Sequence, residues 1–102
     1  MIRVSAMYPQ GGKFDADYYA TKHMPMVAEK FGAAMVRYEI DKGVGGAAPG
    51  QPAPYAMIGH MYFNSLPEFM AAFAPHMGAI LGDVPNYTDT TVQLQISEIV
   101  KG

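Results

Sequence analysis

Read at the period of two that a β-strand imposes, Tyr55–Asn64 is apolar on both faces. Ala56, Ile58 and Tyr62 fall on one face, and Met57, Met61 and Phe63 on the other. A strand of this kind is buried on both sides. Three other segments alternate with one polar face. In the first, Ile2, Val4, Ala6 and Tyr8 alternate with Arg3, Ser5 and Met7. In Met35–Lys42, Val36, Tyr38 and Ile40 oppose Arg37, Glu39 and Asp41, and in Thr90–Val100, Val92, Leu94 and Ile96 oppose Gln93, Gln95 and Ser97.

Two helical segments separate these strands. Asp15 is placed as an N-cap, with Asp17 favourable against the positive helix end. From there to Phe31, Tyr19, His23, Met26 and Val27 recur at helical spacing on one face. Pro25 removes the amide that would bond the Thr21 carbonyl, so a kink or break is expected near Met24, and Gly32 ends the helix. Ser65-Leu66-Pro67-Glu68 reads as a capping box, followed by Leu66, Phe69, Met70, Phe73, Met77 and Ile80 at helical spacing, with a second kink expected at Pro75. Gly82–Tyr87 reads as a turn. Seven of the twelve residues from Gly43 to Pro54 are Gly or Pro, which predicts a flexible hairpin loop rather than a domain linker.

The order βαββαβ is that of an α+β ferredoxin-like domain spanning 1–102, a four-stranded antiparallel sheet with two kinked helices on one face. The doubly apolar third strand belongs at the centre. The helices leave the second sheet face uncovered, and a chain of 102 residues buries a modest share of its surface alone. A symmetric homodimer closing the two open faces is therefore expected.

Composition narrows the chemistry. With no cysteine, thiol nucleophiles, Fe–S clusters and cysteine-based zinc sites are excluded. Seven Lys/Arg against nine Asp/Glu give no basic footprint for nucleic acid. No signal peptide or membrane span is evident, so no membrane partner and a cytoplasmic location are expected. Gly-x-Ser-x-Gly, P-loop and Gly-x-Gly-x-x-Gly motifs are absent, which argues against hydrolase, NTPase and dinucleotide chemistry.

Three stretches resemble the EthD family of the dimeric α/β-barrel superfamily. Phe14–Met26 is similar to its Phe-x-x-x-Tyr-(Tyr/Trp)-x-x-x-His-x-Pro segment, Gly59–Leu66 to its strand-into-helix segment, and Asp83–Thr88 to its Asp-Val-x-Asn-(Phe/Tyr)-Thr segment. His60 departs from the pattern, where an acid or an apolar residue is commoner. The resemblance implies a dimeric barrel. Superfamily relatives include polyketide cyclases, lactone isomerases, monooxygenases and haem-degrading enzymes, so it bears on architecture more than on reaction.

His23 is the first catalytic candidate: it points toward the sheet beside the Pro25 kink, as a general acid or base or as a structural histidine bonding a carbonyl or tyrosine. His76, after Pro75, faces inward if the helix continues, or else simply ends it. Asp83 is a turn residue or N-cap unless it enters the pocket, where it would orient an imidazole and raise its basicity. His60 has the parity of Ile58 and Tyr62, placing it in the pocket, the core or the dimer interface. The histidines lack His-x-His or His-x-x-x-His spacing, and no metal or cofactor is expected. Tyr8, Tyr19, Tyr62, Phe69, Phe73, Met77 and Tyr87 are candidates to line a cleft for a small apolar or aromatic ligand, or to fill a methionine-rich core. Two functions are compatible with these residues: a cofactor-free isomerase, cyclase or oxygenase using His23 and a tyrosine hydroxyl (Tyr62 or Tyr87), or a non-catalytic ligand-binding or accessory protein.

Overall fold

The computed structural model describes residues 1–102. Strands β1 (Ile2–Pro9), β2 (Met35–Lys42), β3 (Tyr55–Phe63) and β4 (Gln93–Glu98) form one antiparallel sheet in the order β2-β3-β1-β4. This is the expected ferredoxin-like arrangement, with the doubly apolar strand β3 inside the sheet beside β1. The last strand is shorter than the alternation from Thr90 suggested. No helix is long and apolar enough to cross a membrane.

Register fixes the two faces. Ile2, Val4, Ala6 and Tyr8 stand opposite Phe63, Met61, Gly59 and Met57, and this face packs under the helices as the core. The other face carries Arg3, Ser5 and Met7 of β1, Ile58, His60 and Tyr62 of β3, and Arg37, Glu39 and Asp41 of β2. A bulge between Met35 and Arg37 takes Val36 out of the alternation with Tyr38 and Ile40, leaving it 46% exposed.

The first helical segment departs from expectation in an informative way. α1 (Ala16–Tyr18) starts at Asp15, whose carboxylate accepts the Tyr18 amide at 3.0 Å. A π-helical turn, Tyr19–His23, comes next and runs into α2 (Met24–Phe31). The Met24 amide bonds the Tyr19 carbonyl five residues back. Pro25 supplies no donor, and the chain meets that loss by widening the turn instead of breaking. The extra residue shifts the phase of α2: Met24 is buried and Met26 only half-buried, the reverse of the straight-helix expectation. Gly32, at φ 56, terminates α2.

The second segment breaks where Pro75 predicts. α3 (Leu66–Phe73), capped by Ser65 Oγ on the Glu68 amide, gives way to a 3₁₀ turn (Ala74–His76) and then to α4 (Met77–Gly82). The helices shield β1 and β3 but not all of β4, so Leu94 and Ile96, although on the helix side, stay about half exposed at 50% and 46%. Gly43–Pro54 forms the connection between β2 and β3, with the Gly46 amide on the Gln51 carbonyl at 2.7 Å.

Candidate functional site

Two segments far apart in sequence meet at the head of the first helix. Phe14 bridges Thr88, the Asp15 amide bonds the Tyr87 carbonyl at 2.7 Å, and Thr88 Oγ1 donates to the Lys13 carbonyl at 2.6 Å. This stitching brings the turn after α4 over the π-turn, and with it Asp83 to His23.

His23 Nδ1 lies 2.9 Å from Asp83 Oδ2. The other carboxylate oxygen, Oδ1, accepts Tyr18 Oη and Asn86 Nδ2, both at 2.8 Å. Partial burial pulls the Asp83 carboxyl up, but the bonds from Asn86, His23 and Tyr18 together outweigh it and hold the group below the usual carboxylate range. Asp83 is thus an anion, and Nδ1 carries the proton it accepts. Burial acts on His23 in the opposite sense: it lowers the imidazole from its ordinary value more strongly than Asp83 raises it. The resulting group is a neutral imidazole of fixed tautomer, with Nε2 as a lone-pair acceptor turned inward.

A chain of hydroxyls continues from Nε2. Tyr87 Oη is 3.3 Å away, and Tyr8 Oη lies 2.6 Å from Tyr87 Oη. With Nε2 accepting, Tyr87 donates to it and Tyr8 donates to Tyr87. Tyr19 stacks on His23 at 5.5 Å and crosses the Tyr8 ring at 5.3 Å. Burial pushes the hydroxyls of Tyr8, Tyr19 and Tyr87 upward, so all three stay protonated at neutral pH. Tyr19 Oη is buried and has no hydrogen-bond partner. It lies against β3 where Gly59 has no side chain; a Cβ there would overlap it.

These groups stand beside a cavity of about 40 Å³ between helices and sheet. Of its sixteen lining residues fifteen are hydrophobic, among them Tyr8, Tyr19, Phe69 and Phe73, and the sixteenth is His23. A cavity that holds benzene measures about 150 Å³, so this one is nearly closed. Its outer rim includes Leu81 of α4 and Leu94 of β4, 39% and 50% exposed.

Of the residues singled out from sequence, His23, Tyr8, Tyr19, Phe69 and Phe73 line the cavity, while Asp83 and Tyr87 join them through His23 and lie outside the lining. Three others do not come here. Tyr62 is on the open sheet face, donating to Glu39 at 2.7 Å and accepting from Arg3 at 3.2 Å; its parity with His60 separates it from the cavity. Met77 points away and is 44% exposed. His76 lies in the 3₁₀ turn, half-buried and outside the cavity lining. His60 is also on the open face, between Ser5 Oγ and Asp41 Oδ2, each at 2.9 Å. Tyr18 and Asn86, the braces of Asp83, occupy named positions of the first and third family-like segments but are not among the candidate site residues read from sequence. Asn86, three residues after an aspartate in a turn, is the more readable of the two.

The chain is similar in sequence and fold to known proteins. The EthD domain profile matches residues 13–91, which include every member of the hydroxyl and carboxylate chain except Tyr8. An EthD-like protein from Ralstonia eutropha JMP134 is 42% identical, covering 98% of this chain and 92% of its own, with a TM-score of 0.92. An ethyl tert-butyl ether D family protein from Bacillus halodurans C-125 shares the fold at 18% identity and a TM-score of 0.74, over 96% of this chain and 97% of its own. A Deinococcus radiodurans protein designated a putative antibiotic biosynthesis monooxygenase shares the fold at 11% identity and a TM-score of 0.58, over 100% of this chain and 95% of its own. No curated protein matches the chain.

Proposed function

The chain belongs to the EthD family, and from that premise we propose that it binds a small apolar or aromatic metabolite between helices and sheet and moves a proton on it through His23. The observation that carries this reading is the His23–Asp83 pair: an ionised carboxylate fixes Nδ1–H and leaves Nε2 as a proton acceptor at the wall of an otherwise apolar cavity. A structural histidine needs one partner; this one has an anion on one nitrogen and a hydroxyl chain on the other. Tyr8, which lines the cavity, takes the ligand's proton from carbon or hydroxyl as its own passes to Tyr87 and that of Tyr87 passes to His23 Nε2; the electron pair moves onto the ligand's oxygen, and return of the proton to another atom completes an isomerisation or ring closure. Oxygenation would result if the same carbanion met dioxygen. No cofactor is needed for the first step.

The cavity must widen for a ring-sized ligand. The rim between α4 and β4 is the place for it, because Leu81 and Leu94 are already half free of the core. Homodimerisation through the open sheet face is part of the same reading. That face joins apolar Met7 and Ile58 to a polar network of both charge signs, Arg3, Arg37, Glu39 and Asp41, which suits a self-complementary contact. Binding without catalysis is the second reading, in which the same cavity holds the ligand and His23 serves only as the polar part of its wall.

The test uses cyclopentanone in D₂O. The wild-type protein should accelerate deuterium incorporation at the carbons beside the carbonyl, and His23→Ala should abolish the acceleration while remaining folded by circular dichroism. A His23→Ala protein with the full rate removes His23 from the role. Binding without exchange in the wild type leaves the non-catalytic reading.

A further inference from the structure

We propose that the Tyr19 hydroxyl is the group that docks the ligand's oxygen, and that the ligand is therefore a neutral carbonyl compound rather than a hydrocarbon or an acid. This rests on the cavity reading above and specifies its substrate class.

The inference comes from following the donors. Nδ1–H of His23 is directed to Asp83, so Nε2 can only accept; Tyr87 donates to it and Tyr8 donates to Tyr87. Every donor in that line is occupied. Tyr19 Oη is the exception: fully buried, it makes no well-formed hydrogen bond, and the open acceptor side of the Tyr8 hydroxyl beside it is only a weak partner. A buried donor without a partner is a cost that phenylalanine at the same position would not carry. Its place is not accidental in the packing either, because β3 has a glycine, Gly59, where any side chain would collide with that oxygen.

Tyr19, Tyr8 and Ala6 all line the cavity, and Ala6 is the cross-strand partner of Gly59, against which the Tyr19 hydroxyl packs, so a ligand that widens the cavity toward the sheet would meet that hydroxyl. An oxygen placed there accepts the Tyr19 proton, and a carbon beside it is on the side where Tyr8 and Tyr87 lead to His23. A carboxylate ligand is excluded, since no Lys or Arg lines the cavity to compensate its charge. A pure hydrocarbon would leave the hydroxyl as unsatisfied as before.

The test compares cyclopentanone with methylenecyclopentane, which matches its shape but exchanges C=O for C=CH₂. Both are titrated into the folded full-length protein and followed by NMR. The ketone should bind the wild type about 5–10-fold more tightly, the worth of one neutral hydrogen bond in an apolar site. In Tyr19→Phe the preference should vanish while the hydrocarbon binds as before. Equal binding in the wild type, or a preference surviving in Tyr19→Phe, overturns the inference and leaves the cavity reading intact. If neither probe binds, the cavity reading fails and this inference fails with it. Should Tyr19→Phe not fold, the infrared carbonyl band of cyclopentanone bound to the wild type decides: a shift to lower frequency than in hexane supports the assignment, and an unshifted band overturns it.

Discussion

Replacing Gly59 with Ala tests how closely Tyr19 packs against β3. The new methyl would overlap Tyr19 Oη, and the tyrosine has nowhere to retreat. Its ring is fully buried and is bounded by Tyr8 at 5.3 Å, Phe14 at 5.2 Å, Tyr87 at 5.1 Å and His23 at 5.5 Å. Overpacking a filled core costs about 1–3 kcal/mol, and a site this rigid belongs in the upper half of that range. Alanine recovers roughly 0.5–1 kcal/mol through lower backbone entropy in a strand. The net expectation is a loss of about 1–2.5 kcal/mol, or a fall in Tm of roughly 10 °C for a domain of this size. Tyr19→Phe alone should be neutral or stabilising by up to about 1 kcal/mol, because it removes a buried donor that has no partner. In the double variant the nearest tyrosine-ring atom to the new methyl is Cζ, 3.3 Å away, which is tight but tolerable. The double variant should therefore lie within about 1 kcal/mol of wild type, a favourable coupling of about 1.5–2 kcal/mol between the two sites. Urea unfolding monitored by circular dichroism, at one fixed protomer concentration since association would shift the midpoint, measures all four corners. Additive changes, or a neutral Gly59→Ala, would refute the reasoning.

Two further outcomes concern the site and the open face. Because burial lowers the folded-state pKa of His23, the unfolded chain binds its proton first as pH falls: stability is complete above about 6.5 and declines from there toward the folded-state value. Asp83, also lowered, adds a second decline that starts only as pH drops below about 3.8. His23→Gln should erase the upper decline and keep the lower one in urea midpoints measured across the acid range; an unchanged upper decline assigns it to another group. Separately, sedimentation should find a dimer at micromolar concentration and a monomer for Ile58→Glu on the open face, whereas a monomeric wild type contradicts pairing through that face.

The parts of this molecule that can be read from its residues are those set by local rules. Period-two alternation and Gly/Pro punctuation locate the four strands, and Asp15, Ser65 and Gly32 mark helix ends where the backbone demands them. His23 is legible from its spacing with Tyr19. Outcomes of competition between local signals are not. Pro25 announces a missing donor, but whether the helix breaks or widens depends on the sheet beneath it, and widening exchanges Met26 for Met24 inside. Strand parity groups Tyr62 with His60 but does not say which face the helices cover, so a tyrosine expected in the cavity lining is instead held by Arg3 and Glu39. The His23–Asp83 pair spans 60 residues and depends on the stitching of Lys13–Asp15 to Tyr87–Thr88, a contact that neither segment encodes alone.

The widened turn also sets which residues the helix offers to the interior. Successive residues of an α-helix diverge by about 100°, so the phase of the helix decides which neighbours share the buried stripe. Here His23 and Met24, adjacent in sequence, are 3% and 1% exposed. One serves the proton chemistry and the other the packing, and neither displaces the other. The number of residues between Phe14 and Pro25 then matters as much as their identity. Losing one residue from that interval would restore an ordinary turn and change which side chains α2 turns inward beside the imidazole.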